Sequence, residues 1–244
     1  MFRNMSIAAV ALAAGTMSFA HADIIVPGAN TSKAGDGGQG FPFDVGPLPE
    51  RLAQLYSAST LGAAPIKIYG LAFRPAAGSA TKAFSATLPS VTISLSTSPR
   101  KVGVGEDLTF ADYIGTDVTT VRSGALALSS ANHLLADGTK AFDIVIRFAT
   151  PFAYDPTKGD LFVDIFNRNT GGPFTTYFDG ISLGAPSIDQ LFTYRGEPVT
   201  SKDGHLRAGR GLITKFLTTP VPEAGTLALL GAGLMVAAAG RRRR

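Results

Sequence analysis

The sequence predicts an all-β fold, an antiparallel two-sheet sandwich of jelly-roll kind, for a central body of about 200 residues. Three observations predict it. From residue 65 onward apolar and polar residues alternate with period two, as in strands with one dry and one wet face. Gly, Pro, Asn and Asp interrupt that alternation at fairly regular intervals, which marks turns. The chain has no cysteine, so neither disulfides nor thiolate-bound metal hold it, and a domain of this size must rely on its core.

The N-terminus, residues 1–22, reads as an export signal. Arg3 gives a positive start, an apolar run covers 7–14, and Ala20-His21-Ala22 forms an A-x-A cleavage site. An uncleaved anchor is the alternative, although the run is short for a membrane span. The mature chain then begins at Asp23, with 23–217 as the exported domain and 218–244 as a tail. Residues 23–26 open the domain, followed by the loop GANTSKAGDGGQG (28–40) and Phe41-Pro42-Phe43. Asp36 sits among glycines, but no calcium-loop ligand spacing surrounds it, and a turn is the simpler reading. The Gly-rich stretch 35–40 and a hinge near 218–221 look flexible.

Pro47-Leu48-Pro49-Glu50 introduces the one helical signal of the body. Leu48, Leu52, Leu55 and Tyr56 recur at helical spacing and predict a short amphipathic helix ending near Ser59, covering one end of a sheet. Strands are then expected at 66–74, 83–88, 91–97, 107–113, 119–128, 141–149, 161–167, 175–178, 192–195 and 211–217. In the clearest, Val91, Ile93 and Leu95 point one way and Thr92, Ser94 and Ser96 the other. Likewise Phe142, Ile144, Ile146 and Phe148 alternate with Asp143, Val145, Arg147 and Ala149.

Chemistry has little material. Of the formal net charge of +4, the targeting ends supply everything: 22 Lys plus Arg less Arg3 and four terminal arginines leaves 17, and 18 Asp plus Glu less Glu223 leaves 17. The body is neutral, its cations are scattered between Lys33 and Lys215, and no nucleic-acid footprint results. His133 and His205 read as surface histidines beside loop residues, neither in an H-E-x-x-H context; no G-x-S-x-G nucleophile elbow is expected, and no P-loop or dinucleotide fingerprint occurs. No catalytic residue and no cofactor follows from the sequence. Asp155, Asp160 and Asp164 are the candidate calcium ligands, because the even spacing of the last two puts both on one face of a strand. Turn chemistry and an alternating polar face explain them as well. Tyr154, Tyr177 and Tyr194 are candidate platforms for sugar rings near strand ends.

The tail, VPEAGTLALLGAGLMVAAAGRRRR, has three parts: Val221-Pro222-Glu223, an uncharged apolar run over 226–239, and Arg241, Arg242, Arg243 and Arg244. Pro222 suits a helix start, and Glu223 meets the positive end of the helix dipole. Residues 223–240 give roughly 27 Å of helix at about 1.5 Å per residue, near a hydrocarbon core of about 30 Å once the arginines snorkel. A buried core helix is the alternative, but four arginines are an odd way to end one. The positive-inside rule keeps the arginines cytoplasmic and puts the body across the membrane.

This tail resembles a PEP-CTERM sorting signal, with Pro222 and Glu223 matching the first two motif positions and Ala224 replacing the second proline. The same tail also goes by the label ice-binding protein C-terminal motif, which describes the tail and not the body. The one short polar face at Thr92-Ser94-Ser96 is no flat ice-binding Thr array. The resemblance implies an exosortase as partner, in a Gram-negative bacterium. It implies a transient inner-membrane anchor with the body periplasmic, then release to the surface or outside, within an extracellular polysaccharide or biofilm matrix. RLAQLYSAS (51–59), Leu71-Ala72-Phe73-Arg74, LPSVTISLSTS (88–98), VRSGALALS (121–129) and PFAYDPTKGDLFVDI (151–165) resemble an exported β-sandwich type found with such tails. The leading expectation is a non-enzymatic exported protein. An exported polysaccharide hydrolase and a carbohydrate- or calcium-binding adhesin are the competing classes.

N-terminal sequencing of the protein recovered from its host is expected to begin at Asp23, because small residues occupy both recognition positions, Ala20 and Ala22. A start at Met1 would mean an N-terminal anchor instead.

Overall fold

Alternating residues with one dry face need a second sheet to cover that face, and the chain supplies two large ones. The computed structural model describes residues 23–43, 49–77, 82–104, 109–169, 176–194 and 196–220. In chain order the strands are β1 (Ile24–Val26), β2 (Gly37–Gln39), β3 (Glu50–Tyr56), β4 (Ile66–Phe73), β5 (Phe84–Ser98) and β6 (Thr119–Ser130). Then come β7 (Ile144–Tyr154), β8 (Asp160–Asn167), β9 (Phe178–Ile181), β10 (Ile188–Phe192), β11 (His205–Ala208), β12 (Gly211–Leu212) and β13 (Thr214–Pro220). They form a four-stranded sheet, β1-β13-β4-β7, a six-stranded sheet, β11-β10-β3-β8-β5-β6, and a small sheet, β12-β9-β2. Every strand pairing among the described residues is antiparallel. The all-β expectation holds, with thirteen strands among the described residues where a jelly roll has about eight.

The two large sheets share one core. Ile68, Leu71 and Phe73 of β4 and Ile144, Ile146 and Phe152 of β7 pack in the same cluster as Val91, Ile93 and Leu95 of β5 and Val163 and Ile165 of β8. Each such side chain removed from water contributes about 1.5–3 kcal/mol. The predicted inward set Val91, Ile93 and Leu95 is fully buried.

Four expectations need correction. Residues 50–56 are not a helix but β3, hydrogen-bonded between β10 and β8, with all seven residues buried. Leu52 and Tyr56 face the main core, while Ala53 and Leu55 join a second apolar cluster on the opposite face. A strand covered on both faces has no polar side, so its apolar spacing imitates a helix. Only a 3-10 turn, Ala58–Thr60, follows it. The expected strand 107–113 is likewise, over its described part, a 3-10 turn at Phe110–Asp112. The Asp112 carboxylate accepts hydrogen bonds from both the N–H and the hydroxyl of Thr109, and this local bonding competes with a ladder. The strands expected at 83–88 and 91–97 are one strand, β5, with a register shift between Leu88 and Val91, where Pro89 can donate nothing. Finally, Thr218–Pro220 is no hinge: it continues β13, opposite Ile66–Ile68 of β4.

Outside the six-stranded sheet, Phe110 and Tyr113 close over Ala53, Leu55, Phe162 and Leu191. A buried ion pair pins that cover. Arg51 Nη2 and Nε donate to the two oxygens of Asp164 at 2.7 and 3.1 Å, and Nη1 donates to Ser201 O at 3.2 Å. The guanidinium lies 3.5 Å from the Phe110 ring centre and 4.1 Å from that of Phe166. Burial pushes the Asp164 carboxyl up from its ordinary range, with Arg51 acting against it.

Asp164→Ala strands the Arg51 charge in that sandwich and is expected to cost about 3–5 kcal/mol in urea unfolding. The double variant Arg51→Leu/Asp164→Leu removes both charges and is expected to lose less than the single variant.

Candidate functional site

The Gly-rich stretch that reads as a flexible loop is the wall of the concave part of the surface. Residues Gly37–Gln39 form β2, paired to β9. Glycine is required there for close approach. A Cβ on Gly35 would sit 1.9 Å from Gly180 O, and one on Gly37 the same distance from Ser182 Oγ. A second buried ion pair holds this region down. Arg74 Nε donates to Asp179 Oδ2 at 2.7 Å, and its Nη2 donates to the carbonyls of Asn30 and Lys33 at 3.0 and 2.7 Å. Asp179 Oδ1 accepts the N–H of Gly35 at 3.0 Å. Burial raises the Asp179 carboxyl, opposed chiefly by Arg74.

Three hollows open around this small sheet. One of about 400 Å³ lies between Asn30–Asp36 and Ile181–Pro186. Another, of about 370 Å³, lies between 34–38 and Ala76, Tyr177 and Asp179. The third holds about 150 Å³ and is the polar one, lined by Gln39, Ser182, Gln190, Arg207 and Arg210 with the backbone of Gly37, Gly38 and Gly180.

The polar hollow ends a ladder of amides that crosses the interior face of the large sheet. Gln54 of β3 is opposite Gln190 of β10, and Gln190 is opposite Arg207 of β11. Residues directly opposite share a face, so the three align. Gln54 bonds Tyr56 Oη and Thr214 Oγ1 through its Nε2 and accepts Leu212 N–H through its Oε1. Gln190 Nε2 donates to Gln39 Oε1 at 3.0 Å, while the buried Gln39 Nε2 has no hydrogen-bond partner among the described residues. The Arg207 guanidinium lies 4.3 Å over the Phe192 ring. Beyond Phe192 the edge becomes aromatic. Tyr194, 51% exposed, packs at 4.2 Å on the His205 ring, and His205 Nε2 is 3.1 Å from Glu197 Oε1. The Tyr194 N–H, and after it His205, hold the Glu197 carboxyl below its usual range.

The sequence candidates fall in different places. Asp160 and Asp164 do share the outer face of β8, as their spacing implies, but each anchors something else. Asp160 accepts the N–H groups of Ala58 and Val102 at 2.9 and 2.8 Å, and Asp164 holds Arg51. Asp155 accepts both the N–H and the hydroxyl of Thr157, which hold its carboxyl low, and sits 3.6 Å from Lys158. Among the described residues no three His, Asp or Glu side chains gather to hold a metal. Tyr154 is buried and donates to Gly159 O, whereas Tyr177 and Tyr194 are about half exposed. Asp36 accepts Ser182 N–H at 2.7 Å, a tie to the segment after β9. His133 is exposed, but His205 lies in β11 and is paired, a contact that no sequence spacing announces.

Gly180-Ile181-Ser182-Leu183-Gly184 is a G-x-S-x-G spacing missing from the sequence candidates, and Ser182, Glu197 and His205 follow in the order of a hydrolase triad. The context differs. The motif runs from β9 into a loop with no helix after it, and no hydrogen bond joins Ser182 to His205. The expected signal peptide with Ala20 and Ala22 lies outside the described residues, as do Val221, Pro222, Glu223, the helix expected over 223–240 and Arg241 to Arg244. No helix of the described residues is long and apolar enough to cross a membrane.

A family model for the PEP-CTERM protein-sorting motif matches residues 220–244. Among curated proteins and among solved structures, nothing matches the chain.

Gly35→Ala forces a Cβ into the Gly180 carbonyl and is expected to lower stability by roughly 1–3 kcal/mol in urea unfolding. Gly28→Ala, where the Cβ meets nothing within 4 Å, is the control and is expected to stay within about 0.5 kcal/mol.

Proposed function

We propose that this chain is a non-catalytic surface protein that an exosortase sorts and that then associates with extracellular polysaccharide. One observation carries the reading: the sorting motif occupies 220–244 and begins on the residue where β13 ends. The PEP-CTERM motif marks an exported protein, delivered to the cell surface through the membrane. In this reading the arginines at 241–244 stop translocation, since each costs about 2.5–3.5 kcal/mol at the centre of the hydrocarbon. The apolar run then holds the body at the outer face, and Pro222-Glu223 waits at the membrane edge for the enzyme.

The non-catalytic part rests on how the acids are used. Asp160, Asp164, Asp179 and Asp189 are buried, and each is bound to an arginine or to backbone N–H groups of a loop. Acids committed in this way hold structure and are not placed for proton transfer at a substrate. A hydrolase reading has one observation in its favour, the Glu197–His205 pair beside exposed Tyr194. It lacks a nucleophile bonded to that histidine. The polysaccharide part of the proposal fits exposed Tyr177 and Tyr194, rings that combine an apolar face with a wet hydroxyl.

Fractionation of the host tests the sorting. Pro222→Ala/Glu223→Ala is expected to insert normally and accumulate as an unprocessed membrane form, as wild type does without the exosortase. Arg241 to Arg244 changed to Ser is expected to let precursor escape the membrane fraction. Normal processing of the Pro222/Glu223 variant would make the tail a plain anchor and end the reading.

A further inference from the structure

We propose that the polar hollow between β2, β9 and β11 binds the carboxylate of an acidic sugar unit, with Tyr194 as the platform for a neighbouring unit. This rests on the association with polysaccharide proposed above and names the class of polymer.

The arginines are the first argument. Deep in the fold, Arg51 and Arg74 each have an aspartate at 2.7 Å. Arg207 and Arg210, which line the hollow, have no ion pair among the described residues, although the body carries as many acids as bases. Two guanidinium groups on one small concavity are a fork-shaped set of donors for an oxyanion. Arg207 is further fixed by its place over Phe192, so little freedom is lost when it binds.

The second argument is the amide. Gln39 lines the hollow, its Oε1 is held by Gln190, and its buried Nε2 has no partner among the described residues. Gln190 is itself 97% buried and locked in register between Gln54 and Arg207. Sheet interiors avoid such groups unless something satisfies them. A carboxylate in the hollow meets the Ser182 hydroxyl as a donor, and a turn of the Gln39 side chain toward it gives the amide N–H the acceptor it lacks.

Size and neighbours choose the ligand. About 150 Å³ is well below the roughly 300–1,000 Å³ of pockets that engulf a small molecule. It admits a projecting carboxylate and part of its ring, with the rest of a polymer in solvent. His205 is two residues along β11 from Arg207, roughly 7 Å away, and carries Tyr194 on its ring. A chain of sugars running along this edge therefore meets charge first and an exposed aromatic face next. Free phosphate offers the same oxyanion without the second contact.

The test uses the full chain in detergent, titrated calorimetrically with oligogalacturonate and oligomannuronate, a neutral galactose oligomer, and inorganic phosphate. The expected result is binding of at least one oligouronate, weakened by salt, with no binding of the neutral oligomer and much weaker binding of phosphate. Arg210→Ala is expected to weaken oligouronate binding roughly tenfold or more with an unchanged thermal melt, since Arg210 holds no internal partner. Tyr194→Ala is expected to weaken oligouronate but not phosphate. Equal binding of neutral and acidic oligomers, phosphate binding as tight as oligouronate, an unaffected Arg210→Ala, or no oligouronate binding would each overturn the proposal. Fractionation of the sorting variants reads a different property, so failure of this site and failure of the sorting reading are told apart.

Discussion

Arg51 and Arg74 carry their charge inside the protein, and a buried guanidinium is held there by a carboxylate and further acceptors brought close to it. That requirement organises the loops. Arg51 draws in Asp164, the Ser201 carbonyl and the face of Phe110, so the outer cover of the large sheet closes around it. Arg74 draws in Asp179 and the carbonyls of Asn30 and Lys33, and Asp179 in turn fixes Gly35. Asp160 and Asp189 act from the carboxylate side, holding the N–H groups of Val102, Gly103 and Gly209. Secreted domains often tie such loops with disulfides. This chain has no cysteine, and charge-assisted hydrogen bonds do the tying instead.

What the sequence makes legible follows from the same physics. β5 and β7 alternate visibly because one face of each is wetter than the other, and their inward residues Val91, Ile93, Ile144 and Ile146 are the expected ones. β3 hides because both of its faces are covered: its polar residues Glu50, Arg51 and Gln54 are all buried, Arg51 by Asp164 and Phe110. The turn at Phe110–Asp112 hides because Thr109 and Asp112 decide it locally, against a strand-like composition. The glycines at 35–40 suggest freedom in a sequence, yet Gly35 is there because the Gly180 carbonyl leaves no room for a Cβ.

The concave region was the least legible part. Its amide ladder needs β3, β10 and β11 side by side, an order that chain position does not suggest. Gln54, Gln190 and Arg207 are far apart in sequence and unremarked by any motif. The even spacing of Asp160 and Asp164 correctly puts them on one face, but their partners, Ala58, Val102 and Arg51, come from other elements. By contrast the sorting motif is read from contiguous residues and depends on no fold, which is why residues 220–244 are recognisable directly.

The strand that meets that motif gives the body an orientation. β13 pairs antiparallel with β1, Ile24 opposite Phe216 and Val26 opposite Thr214. The start of β1 and the end of β13 therefore leave the four-stranded sheet at the same end. In the export reading, one of those exits follows the signal peptide and the other enters the sorting tail, so both membrane-directed segments depart together. No spacer separates sheet from tail, because Pro220 still pairs with Ile66 while already being the first residue of the motif. On the anchoring proposed above, the end of the body carrying Ile24 and Pro220 would face the bilayer while the tail is intact, and processing at the motif would free the body to present its other surfaces.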